Sequence, residues 1–364
     1  MIKETIMITT GGTGGHVFPA ISIAQMLSKK KYDTYFIGGY LDDNKFFNSK
    51  NLNFFSINCG KFVFKNPWQG IKNFYQIYKG FLQSLRILKA VKPKLVVGFG
   101  SYYTVPVLLA AFYLKIPYVL HEANSIPGKV NKLFAKKALW TGLHFSQTEK
   151  YIKGPVKHVG MPLRKHFKKN CCSKEEAFQY YDLNSSKKTI LILGGSQGAS
   201  SINNWMIQVA PLLPKNLQII HFCGSKENPS LIKDCYEKEG IKAIVKSFEN
   251  KMEYALTAAD VAISRAGASS IAELMEFEIP TLFIPYPFAA ENHQLVNADY
   301  YLTLAKGGVK MNEEQYSNTV FLNMLQTLLA NQTSFQENIQ LYKKTIGKSC
   351  FYEHLLTTLG ETNE

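Results

Sequence analysis

Four stretches of the 364-residue chain combine residue types that can hold an anion and move a proton. The first is Gly11-Gly12-Thr13-Gly14-Gly15-His16, set between an apolar run and a helix-length segment. Glycines let a backbone turn tightly against a ligand, and a helix start behind them offers free N–H groups and a positive dipole end. That dipole disfavours an imidazolium at His16, so a neutral ring there could take a proton from an incoming hydroxyl. A histidine that only caps the turn fits the same residues, and both readings stand. The second stretch, Gly194-Gly195-Ser196-Gln197-Gly198, has the same setting, and Ser196 adds a hydroxyl donor. The third is Arg265-Ala266-Gly267-Ala268-Ser269-Ser270-Ile271-Ala272-Glu273. Ser270 and Glu273 have the spacing of a helix capping box, the stronger reading of these residues alone. The functional alternative is a carboxylate gripping two ribose hydroxyls. The fourth, Pro285 to Gln294 followed by Asn297-Ala298, places His293 and Gln294 where they could read sugar hydroxyls or form an ordinary first helical turn. His121-Glu122-Ala123-Asn124 ends a strand, where ligands bind in open α/β sheets. Arg164 lies at the join of two domains, where it could reach a diphosphate.

Other chemistries fit less well. Reading G-x-G-x-x-G from Gly12 puts Val17 at the last position, and Gly38 and Gly39 stand where a dinucleotide site would place an acid. No Gly-Lys-Ser/Thr follows, so the loop is not a P-loop. The six cysteines form no C-x-x-C pair, and neither a zinc site nor a redox motif is indicated. A D-x-D pair for a metal-bound nucleotide sugar is absent, Asp42-Asp43-Asn44 being a poor substitute. The expectation is a reaction without metal or cofactor, in which helix N-termini and Arg164 stabilise the departing diphosphate.

These loops must be held by strands. Glu4–Thr9, Tyr35–Gly38, Leu95–Val97 and Tyr118–Leu120 read as short, continuously apolar strands, as parallel strands buried on both faces should. The series restarts at Thr189–Leu193 and continues through Gln218–Phe222, Val261–Ser264 and Thr281–Ile284. Each series opens with strand, glycine loop and helix (Val17 to Lys30, and Ala199 to Leu212), the pattern of two doubly wound α/β domains. The expected boundaries are 1–162, 163–340 and a C-terminal helical segment, 341–364, whose last helix, Phe351–Leu359, could return to the first domain.

The net charge is +15, and between Asp43 and Glu122 there is no acidic residue. Lysines there alternate with Phe62, Phe64, Trp68, Phe74, Tyr75, Tyr78, Phe81 and Leu82. Such a stretch suits an anionic membrane interface or single-stranded nucleic acid. It also suits an amphipathic helix over Pro67–Val91 whose aromatics are core, and on that ground at least half of them are expected to be buried. No apolar run approaches the ~20 residues of a membrane span, and the N-terminus reads as a strand rather than a signal peptide.

GGTGGHVFPA, HEAN, GGSQGA, R-x-G-x-x-x-x-x-E and HQ-x-x-NA, in this order from Met7 to Leu304, closely resemble the MurG family, bacterial transferases that add N-acetylglucosamine to lipid I to make lipid II, the peptidoglycan precursor. The resemblance implies a GT-B fold, two Rossmann-like domains facing a cleft, and an inverting transfer from UDP-N-acetylglucosamine to the muramyl 4-hydroxyl. It implies that Thr13, Gly14 and Gly15 line the sugar and phosphate site, and that Asn124 contacts the sugar. Arg164 and Ser196 would meet the diphosphate, and Phe248 lies in the segment bordering the uracil. Ala268, Ser269, Ser270, Ile271, Ala272 and Glu273 would hold the nucleoside, with Gln294, beside His293, on the N-acetylglucosamine. His16, the candidate base, and Tyr102 would lie toward the acceptor. The implied partners are the donor, lipid I and the anionic cytoplasmic face of the inner membrane, with no nucleic acid. Ser101 departs from the family's G-G-Y loop, Met161 from G-N-P, and Tyr103-Thr104-Val105 from a run of smaller residues. Rival readings are a transferase of the same fold acting on another acceptor, such as diacylglycerol, and a non-catalytic nucleic-acid-binding protein. A nicotinamide-dependent oxidoreductase fits less well.

Overall fold

A computed structural model describes residues 4–47, 52–60, 67–164, 167–195, 198–345 and 350–361. They fall into two compact units, 1–164 with 348–364, and 165–347.

The N-terminal unit runs β1 (Glu4–Thr9), α1 (Gly14–Ser28), β2 (Tyr32–Gly39), β3 (Asn53–Ile57), α2 (Pro67–Val91), β4 (Leu95–Gly98), α3 (Val105–Tyr113), β5 (Tyr118–Glu122), α4 (Lys129–Phe134), β6 (Thr141–Leu143) and β7 (Val156–His158). The C-terminal unit runs α5 (Lys174–Tyr181), β8 (Lys188–Leu193), α6 (Ser200–Val209), β9 (Leu217–Phe222), α7 (Pro229–Lys238), β10 (Lys242–Lys246), α8 (Met252–Ala258), β11 (Val261–Ser264), α9 (Ala268–Glu276), β12 (Thr281–Phe283), α10 (His293–Ala305), β13 (Gly308–Lys310), α11 (Asn318–Ala330) and α12 (Gln332–Thr345). A final helix, α13 (Phe351–Thr358), belongs to the first unit.

Every strand pair is parallel. The seven-stranded sheet has the order β3-β2-β1-β4-β5-β6-β7 and the six-stranded sheet β10-β9-β8-β11-β12-β13. Both reverse direction beside their first strand, at β1/β4 and at β8/β11. A doubly wound sheet opens its ligand crevice at such a point, beyond the carboxyl ends of the strands.

Alternation along β1 sorts the first core into two layers. Ile6 and Ile8 pack with Val97 and Val119 beneath α1 and α13, where Phe351 and Leu355 are fully buried. Met7 faces the other way, with Val96 and Leu120, beneath α2, α3 and α4. Trp140 meets Phe351 at 5.1 Å and donates its indole N–H to Thr358 Oγ1 at 2.9 Å, which fastens α13 to β6.

The structure corrects the expectation for α2. Trp68, Phe74, Tyr75, Tyr78 and Leu82 are all exposed, Trp68 at 79%, and Phe81 is only half-buried. Phe62 and Phe64 lie outside the described residues. The buried stripe is instead Gly80, Ser84 and Leu88, flanked by half-buried Ile77, Leu85 and Val91. A Cβ at Gly80 would fall 1.9 Å from the Asn58 carbonyl oxygen, so the helix sits on the sheet through its small residues and turns its aromatics outward. Among the described residues no helix is long and apolar enough to cross a membrane.

Candidate functional site

In the first unit the candidate residues gather at the β1/β4 crevice. Thr13 is the N-cap of α1, and its carbonyl accepts the His16 and Val17 N–H groups at 3.0 and 3.2 Å. The helix therefore starts at Gly14, three residues earlier than the apolar pattern indicates, and His16 lies inside its first turn. Gly14 and Gly15 head the helix with their N–H groups, and no acidic side chain lies in that turn. The His16 ring has Nδ1 3.4 Å from Thr13 Oγ1. Its Cδ2 edge lies 3.6 Å from the point where Gly100 would carry a Cβ, with Asn131 against the same point at 3.3 Å. Arg164 stacks its guanidinium 5.2 Å from the centre of the Phe18 ring, and the same ring covers Gly14. The first loop and Arg164 thus share one aromatic support.

Tyr102 follows β4 and lies against Tyr103, ring centres 4.1 Å apart. Burial, then the hydrogen bond to Tyr103, raises its hydroxyl well above the usual tyrosine range, so it remains a donor. Asn124 follows β5 on a short loop organised by a carboxylate. Glu122 is buried and accepts from the Asn124 N–H at 2.9 Å with one oxygen. With the other it accepts from the Gly128 N–H at 2.9 Å and Asn131 Nδ2 at 2.8 Å. Burial pushes the Glu122 carboxyl above the usual carboxylate range, and these hydrogen bonds oppose the rise.

In the second unit the loop after β8 is cramped. Gly198 has φ +78°, and a Cβ there would come 2.4 Å from the Cys223 carbonyl oxygen. Ser196 lies outside the described residues. The loop after β11 leads into α9, whose N-cap is Gly267 with no side-chain cap. The capping box expected of Ser270 and Glu273 is therefore not formed. The helix begins two residues before Ser270, which makes Ser270 its third residue. Ala268, Ser269 and Ser270 present the first-turn N–H groups, and the Ser269 hydroxyl is buried without a hydrogen-bond partner. Ser269 and Glu273 are four residues apart and share one helix face, with Glu273 half-buried. Ile271 and Ala272 are buried, so their side chains serve the core and only their backbone could face a ligand. At the start of α10, His293 Nδ1 lies 2.8 Å from the Ala290 carbonyl, which fixes the Nδ1–H tautomer and frees Nε2 as an acceptor. Gln294 accepts the Tyr286 N–H with its Oε1 at 3.0 Å, so it can offer a ligand its amide N–H. Phe248 stands 55% exposed on the loop after β10.

Several supporting residues are not visible as such in the sequence. Arg265 is buried and donates to the Ile284 carbonyl at 3.1 Å and to Ser201 Oγ at 2.8 Å, and it pairs with Glu313. It ties the loop after β11 to α6 and to the loop after β12. Asn297 Nδ2 donates to the Ala266 carbonyl at 3.2 Å and anchors α10 to the same loop. Only the S-x-x-E and HQ-x-x-NA spacings hint that these segments meet.

The chain matches the family descriptions "Glycosyltransferase family 28 N-terminal domain" over residues 6–141 and "Glycosyltransferase family 28 C-terminal domain" over 189–349. It is 45% identical over 331 residues to the UDP-N-acetylglucosamine--N-acetylmuramyl-(pentapeptide) pyrophosphoryl-undecaprenol N-acetylglucosamine transferase of Protochlamydia amoebophila, covering 90% of this chain and 88% of that one. The protein of the same name from Chlamydia felis is 33% identical, covering 97% of this chain and 98% of its own. The crystal structure of Acinetobacter baumannii MurG shares the fold, with a TM-score of 0.74 and 23% identity over 99% of this chain and 100% of that chain. With its two parallel-sheet, Rossmann-like units of GT-B type, the chain belongs to glycosyltransferase family 28 and, within it, to the MurG family of N-acetylglucosamine transferases.

Proposed function

We propose that this chain moves N-acetylglucosamine from UDP-N-acetylglucosamine to the muramyl 4-hydroxyl of lipid I, with inversion, and so makes lipid II for peptidoglycan. The observation that carries the reading is that each unit has a crevice of the same topology, one with a glycine loop and His16, the other with the Ser269–Glu273 face. The acceptor oxygen attacks the anomeric carbon, the bond from that carbon to the diphosphate oxygen breaks, and UDP leaves. His16 takes the hydroxyl proton, directly or through water. Glu273 grips the ribose, and the N–H groups at the start of α9 hold charge on the nucleotide. Gln294 and His293 read the sugar. Phe248 borders the base. Ser196, Arg164, Thr13, Gly14 and Gly15 meet the diphosphate and sugar, Asn124 contacts the sugar, and Tyr102 lies toward the acceptor.

The outward face of α2 and α3 is the docking surface on the anionic cytoplasmic face of the inner membrane, to which the protein binds peripherally. Trp68, Phe74, Tyr75 and Tyr78 on α2, with Phe112 and Tyr113 on α3, are exposed side by side with Lys72 and Lys79. Between Pro67 and Leu139 the sole acidic residue, Glu122, is buried. Apolar rings beside lysines suit a headgroup layer.

The test is UDP release from UDP-N-acetylglucosamine in EDTA, with and without a lipid I analogue. Acceptor-dependent release is expected. No release while UDP still binds would keep the nucleotide site and discard this acceptor. A His16→Ala variant with near-normal kcat would remove His16 as the base.

A further inference from the structure

The loop that carries Phe248 is fastened in a way that its exposure does not suggest. Upstream, the Cys223 N–H donates to the Lys246 carbonyl at 3.0 Å, and the Gly224 N–H to the Ser247 carbonyl at 3.2 Å. Downstream, the next residue, Glu249, is turned inward and only 6% exposed. Its Oε2 accepts from Tyr181 OH at 3.1 Å and Lys246 Nζ at 2.7 Å, and its Oε1 from the Lys251 N–H at 2.9 Å. Tyr180 and Tyr181 flank this carboxylate and Tyr254 packs on Tyr180, with Lys246 over Tyr180 and Tyr181 and Lys251 over Tyr180 and Tyr254, all between 5.1 and 5.5 Å. Although burial works against ionisation, the Lys246 and Lys251 N–H contacts hold the Glu249 carboxyl below the usual range. A buried carboxylate so fully satisfied is a rigid anchor, since each donor would otherwise lose its partner.

Between these two fastenings Phe248 projects, with the backbone on both sides of it fixed before anything binds. Preorganised aromatic faces suit flat ligands and lower the ordering cost of binding. The loop lies at the carboxyl end of β10, two strands from β8 and hence about 10 Å from the β8/β11 crevice. That separation suits a nucleotide with its phosphates at the crevice and its base at Phe248.

We propose that Glu249 is a positioning residue for nucleobase recognition: anchored by Tyr181, Lys246 and the Lys251 N–H, it sets the Ser247–Asn250 loop so that Phe248 and the adjoining backbone meet the pyrimidine of the donor. The inference rests on the donor site proposed above. It differs from a purely structural role in what it controls, which is discrimination between bases rather than the chemical step.

The experiment uses the full chain and compares wild type with Glu249→Ala, Glu249→Gln and Phe248→Ala. Affinities for UDP and ADP are measured by calorimetry, together with KM and kcat for UDP-N-acetylglucosamine. The expected result for Glu249→Ala is a KM raised about tenfold at near-constant kcat, with the UDP-over-ADP preference reduced by a similar factor. Phe248→Ala should shift the same two quantities. Glu249→Gln, which can keep the bond to the Lys251 N–H but not the charge pair with Lys246, should fall between. A folded Glu249→Ala protein with wild-type KM and wild-type base preference overturns the proposal. If Glu249→Ala does not fold, Glu249→Gln decides, and an unchanged KM and preference there overturn it equally. Wild-type protein that binds no UDP would instead overturn the donor site itself.

Discussion

Ser101 is held in a backbone conformation that glycine would hold at lower cost. Its φ of +73° with ψ of 147° lies close to a region occupied almost only by glycine, where a side chain costs of order 1–3 kcal/mol. Gly100 before it has φ +74°, so the chain leaves β4 through two successive residues in this unusual half of conformational space. The loop cannot relax easily. The Ser101 carbonyl accepts from the Thr104 N–H at 3.2 Å and Thr104 Oγ1 at 2.8 Å, and its hydroxyl lies against Gly12. Ser101→Gly should therefore remove most of the strain. The added freedom of the unfolded chain returns about 0.4–1 kcal/mol. The net expectation is a gain of roughly 1 kcal/mol, or about 2–4 °C in Tm for a domain of this size. Thermal unfolding of the wild type, Ser101→Gly and Ser101→Ala measures it. Alanine keeps the strained φ and loses the hydroxyl, so it should unfold at or below the wild-type temperature. A glycine variant that unfolds no higher than the alanine variant would refute the strain argument.

Acid should destabilise the protein before its carboxylates titrate. Burial lowers His121 to about 3, His144 to about 4 and His221 to about 3. The unfolded chain binds protons at these groups near pH 6.5 while the folded chain does not, so stability falls as pH drops from about 6.5 toward 4, by roughly 2 kcal/mol per histidine at pH 5. Unfolding midpoints between pH 7.5 and 5 measure the slope, and His121→Leu, among Phe99 and Phe351, should flatten part of it. Phe351→Ala should cost about 3–5 kcal/mol by opening a cavity against Trp140, read as a lower denaturation midpoint; a loss under 1 kcal/mol would show that α13 contributes little. Trp68→Ala with Phe74→Ala should leave kcat on a soluble acceptor unchanged and weaken binding to vesicles containing anionic lipid at least tenfold, and unchanged vesicle binding would move the membrane surface elsewhere.

The parts of the fold that were legible in the sequence are those that carry their own pattern. Strands such as Thr189–Leu193 are continuously apolar because helices cover both faces of the sheet, and glycine loops mark the crevices. The strands Thr141–Leu143, Val156–His158 and Gly308–Lys310 are three residues long and exist through pairing with a neighbour already in place, so no local period announces them. In α2 the period was visible and the face was not, because the largest side chains suggest a core that Gly80 and Ser84 in fact supply. The S-x-x-E spacing misled for a related reason. Gly267 already caps α9, so Ser270 and Glu273 form no capping box. Buried charges were the hardest to foresee. Glu249 reads as a solvated surface residue and Arg265 as part of a ligand loop, and their partners Tyr181 and Glu313 lie 68 and 48 residues away.

The two units repeat one topology and differ in what they place at its crevice. The start of α1 offers glycine N–H groups, a histidine and no acid, so its polar groups can neutralise negative charge and accept a proton. The start of α9 adds serine hydroxyls and, one turn on, a carboxylate, a set suited to a neutral polyol beside an anion. In each unit a buried charged side chain with hydrogen-bond partners from several segments supports a loop beside the crevice: Glu122 accepts from Asn124 and Asn131 in one, and Arg265 donates to Ile284 and Ser201 in the other. A buried charge is costly unless every partner is present, so such a residue pins its loop in one geometry. Removing either should therefore affect ligand binding more than the side chain's distance from the ligand suggests, because what is lost is the single conformation of the loop.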